Sequence, residues 1–546
     1  MFVETTLTRA RIAERQEWWP GERLQDSLAR AVAATPDKAA VVDVHGRLTY
    51  AELAAQVDAC AAGLLDLGVR RGDVVQVQLP NWNEFVVLML GIERIGAVVN
   101  PVAPIFRHHE LRTMLRLAQP VATVTCAEFR GFAYPPMHQE LAGDAPSVRH
   151  LVVVGGEAPA GAGTWDDLLE RGRASGIAAD TLDMLAPATH ELTEIIFTSG
   201  TTGEPKGVMH THDTLQAASL AMLRAQQGTA DDVIHMASTF AHQTGYLFGA
   251  RMFLQCGGTG VFQDVWDPKA FVELVEREGV TMSFGAAPFL SDVLRSPNLD
   301  RHDISSFRVF GCFGAPIPRP MLEEARDRLP CRVMPGWGMT EVALSTTTRP
   351  DDPLEKVVGT DGSPFPGNAV RVVDDDGREV PPGVEGDLLV KGAFEFIGYV
   401  QGRAFTEACY VDGEWFVTGD RATLDDDGFV RITGRSKDLV IRGGENVPVK
   451  EVEDLLVRHP KVAVAAVVAM PHPRLGEIGC AFVVPDGGDP PTLADIQEHL
   501  EGQQLTRQFW PEQLVVVDEM PMTPSGKVQK FKLREEATRL APEGSA

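Results

Sequence analysis

The feature that most limits what this chain can fold into is an exchange between two hydrophobic patterns. Short apolar runs such as VVQVQLP, LVVVGG, TEIIFTSG and SSFRVFGCFGAP alternate with longer helix-like segments, Ala51 to Leu67 and Asp213 to Gln227 among them. Apolar runs of that length read as buried strands, and their alternation with helices predicts an α/β fold with mostly parallel sheets. The pattern then changes twice. From about Ala369 to Thr433 the strand-like stretches VRVVDDDGREV, GDLLVKG and GFVRITG succeed one another with Gly and Pro between them, which predicts a β-rich part. From Val449 the order is helix (VKEVEDLLVRH), two strands (VAVAAVVAM, IGCAFVVP), helix (LADIQEHLEG), strand (QLVVVDEM) and helix (FKLREEATRL). That is a compact α+β unit of about 110 residues, an ordinary domain size. The expected division is a large N-terminal domain of several α/β subdomains with a β-rich part, residues 1–434, a junction at 435–438, and a small α+β C-terminal domain, residues 439–546.

Composition removes several functional classes. At 546 residues the chain exceeds a single core, and 44% apolar with 23% charged residues is ordinary for a globular enzyme rather than a disordered chain. The longest apolar runs, Phe85 to Ile92 and Val462 to Met470, fall short of the ~20 residues of a bilayer span. The N-terminus, MFVETTLTRARIAERQEWW, carries charge throughout and lacks an apolar signal core, so a cytoplasmic location is expected. Seven cysteines, an odd number without a C-x-x-C pair, argue against a disulfide framework and a zinc ribbon. The formal charge of -26 opposes general attraction to nucleic acid or anionic lipid, so cations for an anionic ligand must be gathered locally. The acidic triplets of VVDDDGREV and TLDDDGFV lack EF-hand spacing and read as turns between strands.

One such gathering is TSGTTGEPKGV, Thr198 to Val208. Gly200, Gly203 and Gly207 let the backbone approach an anion, the hydroxyls of Thr198, Ser199, Thr201 and Thr202 can donate to oxygens, and Lys206 adds a cation. The loop is no nucleotide P-loop, because Pro205 precedes the lysine and Gly207 follows it, leaving no hydroxyl for magnesium. Four further segments carry related chemistry: GWGMTE (Gly336 to Glu341), TGD (Thr418 to Asp420), GRSKDLVIRGGENV from Gly434, and PSGKVQK (Pro524 to Lys530). Each alone is an ordinary turn or a solvated lysine. HTH, His210 to His212, has no third metal ligand nearby and reads as loop-to-helix packing.

Taken together, and in this order, these segments resemble the adenylate-forming superfamily of acyl-CoA synthetases, adenylation domains and luciferases. The resemblance covers nearly the whole chain and implies an AMP-forming ligase that uses ATP, Mg2+ and coenzyme A. In that family a carboxylate attacks the α-phosphate of ATP, pyrophosphate leaves, and a thiol then attacks the mixed anhydride. By the resemblance, the loop from Thr198 through Gly203 to Lys206 wraps the triphosphate. Gly314, Ala315 and Pro316 border the adenine, with Trp337, Gly338 and Met339 beside it. Asp420 meets the ribose with Arg435 close by, Thr340 contacts phosphate, and Glu341 holds magnesium. Lys527 bridges the carboxylate and the α-phosphate from a mobile C-terminal domain that turns about Lys437, and CoA enters along Gly443 and Gly444. Lys437 and Trp337 depart from the commoner Asp and Tyr at those places.

The resemblance also puts an acyl pocket among Phe240, His242, Gln243, Gly245, Phe284, Ala286 and Gly311, with His242 as a gate or carboxylate neighbour. No acidic residue in STFAHQTGYLFG awaits an ammonium, which disfavours amino acids. Small residues beside phenylalanines point to a bulky alicyclic, polycyclic or branched medium-chain acid. The partners expected are that small-molecule acid, ATP and CoA, with a homodimer as the assembly and no nucleic acid or membrane. The competing readings are loading of a carrier protein in place of CoA, and a ligase that runs only the thioester-forming half-reaction.

Overall fold

The structure, a computed structural model, describes residues 15–198, 205–314, 317–435, 440–442, 445–472, 475–503, 505, 507–523 and 526–541. Two sheets form the α/β part. In the first, of nine strands, Val233–Met236 lies between the parallel strands Thr259–Phe262 and Met282–Gly285, with Val309–Cys312 and Arg332–Met339 continuing on the latter side. In the second, of eight strands, Val74–Gln78 lies between Val98–Pro101 and Ala122–Cys126, and Leu192–Thr198 extends it in parallel. Each sheet thus has a point where the strand order reverses, the place where an open α/β sheet leaves a crevice at its carboxyl ends. Both sheets are buried under helices, among them Tyr50–Asp66, which matches the segment expected from periodicity and is capped by the Thr49 hydroxyl accepting from Glu52 N–H.

The β-rich part is an antiparallel five-stranded sheet of Asn368–Val373, Gly386–Gly392, Tyr410–Val411, Trp415–Leu424 and Val430–Arg435. Its buried face shares a core with Ile196 and Val208, on the strands to either side of the glycine-rich loop. Beyond it, Val440–Arg442, Glu445–Val447, Val462–His472, Gly476–Pro485 and Gln513–Val516 make a separate sheet, packed by Val449–Val457, Leu493–Gly502 and Lys530–Leu540. The two acidic triplets lie in turns, where Asp374 and Asp425 accept backbone N–H groups two and four residues on. Among the described residues no helix is long and apolar enough to cross a membrane.

One feature of the core departs from apolar packing. After Thr244 the chain winds as a π-helix, Gly245–Arg251, and ends in an arginine with 0% exposure. Arg251 Nη1 is paired with Glu93 of the helix Asn83–Arg94, and the Tyr246 hydroxyl donates to the same carboxylate at 3.4 Å. This ion pair ties a helix of the second sheet to the segment that lines the crevice of the first. Removing one partner leaves an uncompensated buried charge, so Arg251→Met is expected to destabilise the fold by ~3–5 kcal/mol, and adding Glu93→Met to restore most of it. Urea unfolding followed by tryptophan fluorescence checks both.

Candidate functional site

The carboxyl ends of the two sheets open on one cavity of about 340 Å³, within the usual range for small-molecule sites. Most of the wall comes from the ends of strands and from the turns that follow them. Leu192–Thr198 supplies Ile196 to Thr198, Val98–Pro101 leads to Ala103 and Phe106, Val233–Met236 leads to Thr239 and His242, and Val309–Cys312 leads to Phe313 and Gly314. Arg332–Met339 ends in Gly338 and Met339 and passes directly into Thr340 and Glu341. Lys206 opens the strand Lys206–Thr211, which pairs antiparallel with Leu192–Thr198. The last wall comes from the C-terminal sheet's domain, through Thr523, Lys527 and Gln529.

Thr198, Lys206, His242, Gln243, Gly314, Gly338, Met339, Thr340, Glu341 and Lys527 therefore meet around one space. Lys527 lies close to Gly314: a Cβ built on that glycine would sit 3.9 Å from Lys527 Cε. A Cβ on the neighbouring Gly526 would sit 3.4 Å from Pro288 Cγ and 3.6 Å from the Ala286 Cβ. Ala286 thus borders the lysine loop rather than a free volume. Ser199, Gly200, Thr201, Thr202, Gly203, Ala315, Pro316, Lys437, Gly443 and Gly444 lie outside the described residues.

The remaining expected site residues sit in the walls behind. Trp337, 7% exposed, is packed in the core shared with the β-rich sheet, and its indole N–H donates to Asp420 Oδ2 at 2.8 Å. The backbone of Arg435 pairs with that of Asp420 across the sheet. Phe240 packs on Phe85 and Phe262, and Phe284 on Phe248 and Phe313. Two glycines read from sequence as leaving width instead admit close neighbours. A Cβ on Gly311 would lie 2.4 Å from Phe284 Cδ1, so aromatic rings already fill that room, and one on Gly245 would lie 2.1 Å from the Thr239 carbonyl oxygen.

The polar groups are held by specific partners. Glu341, 5% exposed, accepts from the Tyr399 hydroxyl at 2.7 Å. His210 Nε2 lies 2.8 Å from the Thr340 carbonyl oxygen, which calls for the Nε2–H tautomer, and burial holds its pKa down to about 4, so it acts as a neutral donor. Gln243 Nε2 donates to Glu194 Oε2 at 3.4 Å, and burial pushes that carboxyl up to about 8. His242 keeps some accessible surface because the cavity opens on it, yet its ring is desolvated. Burial first, and the Lys527 ammonium second, hold its pKa down to about 3.

The donor set also bears on a metal. Among the described residues no three His, Cys, Asp or Glu side chains converge as a cage. Glu341 with the Thr340 hydroxyl offers one hard carboxylate and one oxygen, which suits Mg2+ held through a single carboxylate and substrate phosphates, and does not suit zinc. Ala103, Phe106, Tyr399, Cys409 and Thr523 also line the cavity and carried no local signal in the sequence. Tyr399 reaches it through a strand pairing with Lys206–Thr211, and Thr523 through the turn it closes with Lys527.

The whole chain has counterparts among known proteins. The model of the AMP-binding enzyme family matches residues 28–400, and that of the AMP-binding enzyme C-terminal domain matches residues 451–527. The chain is 35% identical to the medium-chain fatty-acid–CoA ligase of Escherichia coli (strain K12), over 98% of this chain and 95% of that protein. It is 33% identical to a ligase of Rhodococcus jostii (strain RHA1) that joins CoA to a methyl-dioxo-octahydroindenyl propanoyl group, over 93% of this chain and 98% of that one. Its fold superposes on ATP-bound MatB from Rhodopseudomonas palustris with a TM-score of 0.84 and 30% identity, covering 95% of this chain and 100% of that chain.

The electrostatics of His242 yield a test of the arrangement. A neutral ring facing an ammonium becomes easier to protonate when that ammonium is removed, so Lys527→Ala is expected to raise the His242 pKa, with the wild-type ring still neutral at pH 5. Imidazole 15N chemical shifts followed from pH 8 to about pH 3 give the measurement.

Proposed function

The chain belongs to the adenylate-forming superfamily as an acyl-CoA synthetase, and we propose that it activates a bulky apolar carboxylic acid through an acyl-adenylate and transfers it to CoA. The observation that carries the reading is that Lys527, from the C-terminal domain, and Lys206, Thr340, Glu341 and His242, from the large domain, line the same cavity. That set of charges matches what adenylation requires. As the acid's oxygen attacks the α-phosphorus, negative charge grows on the phosphoryl oxygens and on the departing pyrophosphate. Fixed cations aimed at that growing charge lower the barrier more than any other single effect in reactions of this kind. Lys527 faces the oxygen that joins the acyl and phosphoryl groups, and Lys206 faces the outer phosphates. Glu341 and Thr340 would hold Mg2+, which supplies further neutralisation of the phosphates when bound.

The second half-reaction breaks the acyl–phosphate bond. The CoA sulfur attacks the carbonyl carbon and AMP leaves with the bonding pair. His242, which lines the cavity and is neutral at physiological pH, presents no cation to trap the acid's carboxylate. Trp337 and Asp420 are the pair assigned to the adenosine end, and 435–438 the hinge. The cavity lining includes the apolar side chains of Ala103, Phe106, Leu247, Phe248, Phe313 and Leu344, and this supports an acid with a large carbon skeleton. The Rhodococcus relative's bicyclic acyl group supports the same choice.

The test is a ligase assay over short linear, long linear, aryl, alicyclic and polycyclic acids, with CoA or a holo-carrier protein as acceptor. Bulky apolar acids with CoA are expected to have the highest kcat/KM, and Leu247→Phe to lower it far more for them than for short linear acids. A preference for amino acids or for the carrier arm overturns the substrate or acceptor assignment. Lys527→Ala is expected to cost adenylation about 100-fold or more while sparing thioester formation from supplied acyl-adenylate, and equal losses in both steps overturn the role given to this lysine.

A further inference from the structure

The strand that opens the site, Lys206–Thr211, pairs on its outer edge with Gly398–Tyr399. Tyr399 is 2% exposed and belongs to the core beneath the cavity, which its side chain also lines. It touches two charges of opposite sign. Its hydroxyl donates to Glu341 Oε1 at 2.7 Å, and its ring centroid lies 5.3 Å from Lys206 Nζ, within the range of cation–π attraction. Phe405 offers a second ring to the same ammonium at 5.3 Å, set nearly perpendicular to Tyr399 with centroids 5.2 Å apart. The backbone repeats the arrangement. Phe396 N–H donates to the Glu341 carbonyl at 2.7 Å, and Val400 N–H to the Gly207 carbonyl at 2.9 Å. Gln401 brackets the lysine, donating to the Pro205 carbonyl at 2.9 Å and accepting from Gly207 N–H at 3.3 Å.

We propose that Tyr399 is a positioning residue for adenylation, its hydroxyl orienting the Glu341 carboxylate toward the metal and its ring holding the Lys206 ammonium toward the phosphates. The proposal rests on the roles given above to Glu341 and Lys206. The reason is electrostatic. A carboxylate and an ammonium on one cavity wall tend to collapse into an ion pair, which would spend each on the other. Tyr399 gives each a separate partner. An aromatic ring attracts an ammonium without neutralising it, so Lys206 keeps its charge for the substrate.

The experiment uses the full-length enzyme with ATP and Mn2+ as a paramagnetic stand-in for Mg2+, free Mn2+ being read by EPR. Tyr399→Phe keeps the ring and removes the hydroxyl, and is expected to weaken Mn2+ binding to the enzyme–ATP complex by about tenfold or more, with KM for the acid moved less than KM for Mn2+. Tyr399→Leu removes both contacts and is expected to raise KM for ATP beyond the Tyr399→Phe value. Phe405→Leu, which spares the hydroxyl, is expected to affect ATP more than the metal. Glu341→Gln separates the metal role from the positioning role. If it weakens Mn2+ binding while Tyr399→Phe leaves it at the wild-type value, the positioning role is overturned and the metal role of Glu341 stands. If Glu341→Gln leaves Mn2+ binding intact, the metal role falls and the proposal falls with it. Equal losses for metal, ATP and acid in Tyr399→Phe, accompanied by a lower Tm, reduce Tyr399 to a fold contact and also overturn the proposal.

Discussion

A lysine ammonium delivered by one domain into a crevice built by another is the contact on which the arrangement turns. A cation in a closed crevice is costly to place, and three features bear on how this one is received. Gly314 presents backbone without a side chain to Lys527, and Gly526, at φ +77, seats the loop against Pro288 and Ala286. His242 stays neutral beside it, so no second cation arises there to compete. The lysine's loop is carried by a domain with its own sheet and cores, so its position follows from how that domain seats on the large one. The presence of that charge in the crevice is therefore conditional on domain placement.

Much of the frame was legible from local pattern because parallel strands and their helices are local units. Apolar runs between turn residues located the strands ending in Thr198 and Cys312, and those ends are where the crevice opens. The order of elements after Val449 follows the sequence pattern for the same reason. What local pattern does not encode is pairing at a distance. Tyr399 and Glu341 are 58 residues apart, Arg251 and Glu93 are 158 apart, and each sits in a stretch whose own periodicity has an ordinary explanation. Nothing in the local sequence pattern marks the π-helix that brings Arg251 inward.

The glycines show a subtler limit. From sequence, small residues beside phenylalanines suggest an open pocket, yet smallness has two structural uses. It can leave room for a ligand, or it can admit another part of the protein. At Gly311 the rings of Phe284 and Phe313 take the room, and at Gly245 a backbone carbonyl does. Ala103, Leu247 and Leu344, which come from three different segments, line the cavity instead. Only the assembled fold distinguishes the two uses, because the difference lies in what the third dimension brings against the missing Cβ.

The two acidic side chains given to the nucleotide and its metal are handled alike. Glu341 is held by a phenol O–H and Asp420 by an indole N–H, each aromatic buried in the same core of the β-rich part. An aromatic donor suits this position because it buries a large apolar surface while spending its single polar atom on one oxygen of a carboxylate, leaving that group's acceptor character intact. A lysine or arginine partner would orient the carboxylate as well but would offset its field, weakening its hold on a hard cation or on ribose hydroxyls. In a chain of net charge -26, carboxylates are abundant on the surface and cheap to place. A buried carboxylate that is fixed in direction and still able to act on a ligand is the scarcer arrangement. Trp337 at the place where tyrosine is commoner fits this account, since the indole N–H is a donor only and can hold Asp420 solely as an acceptor.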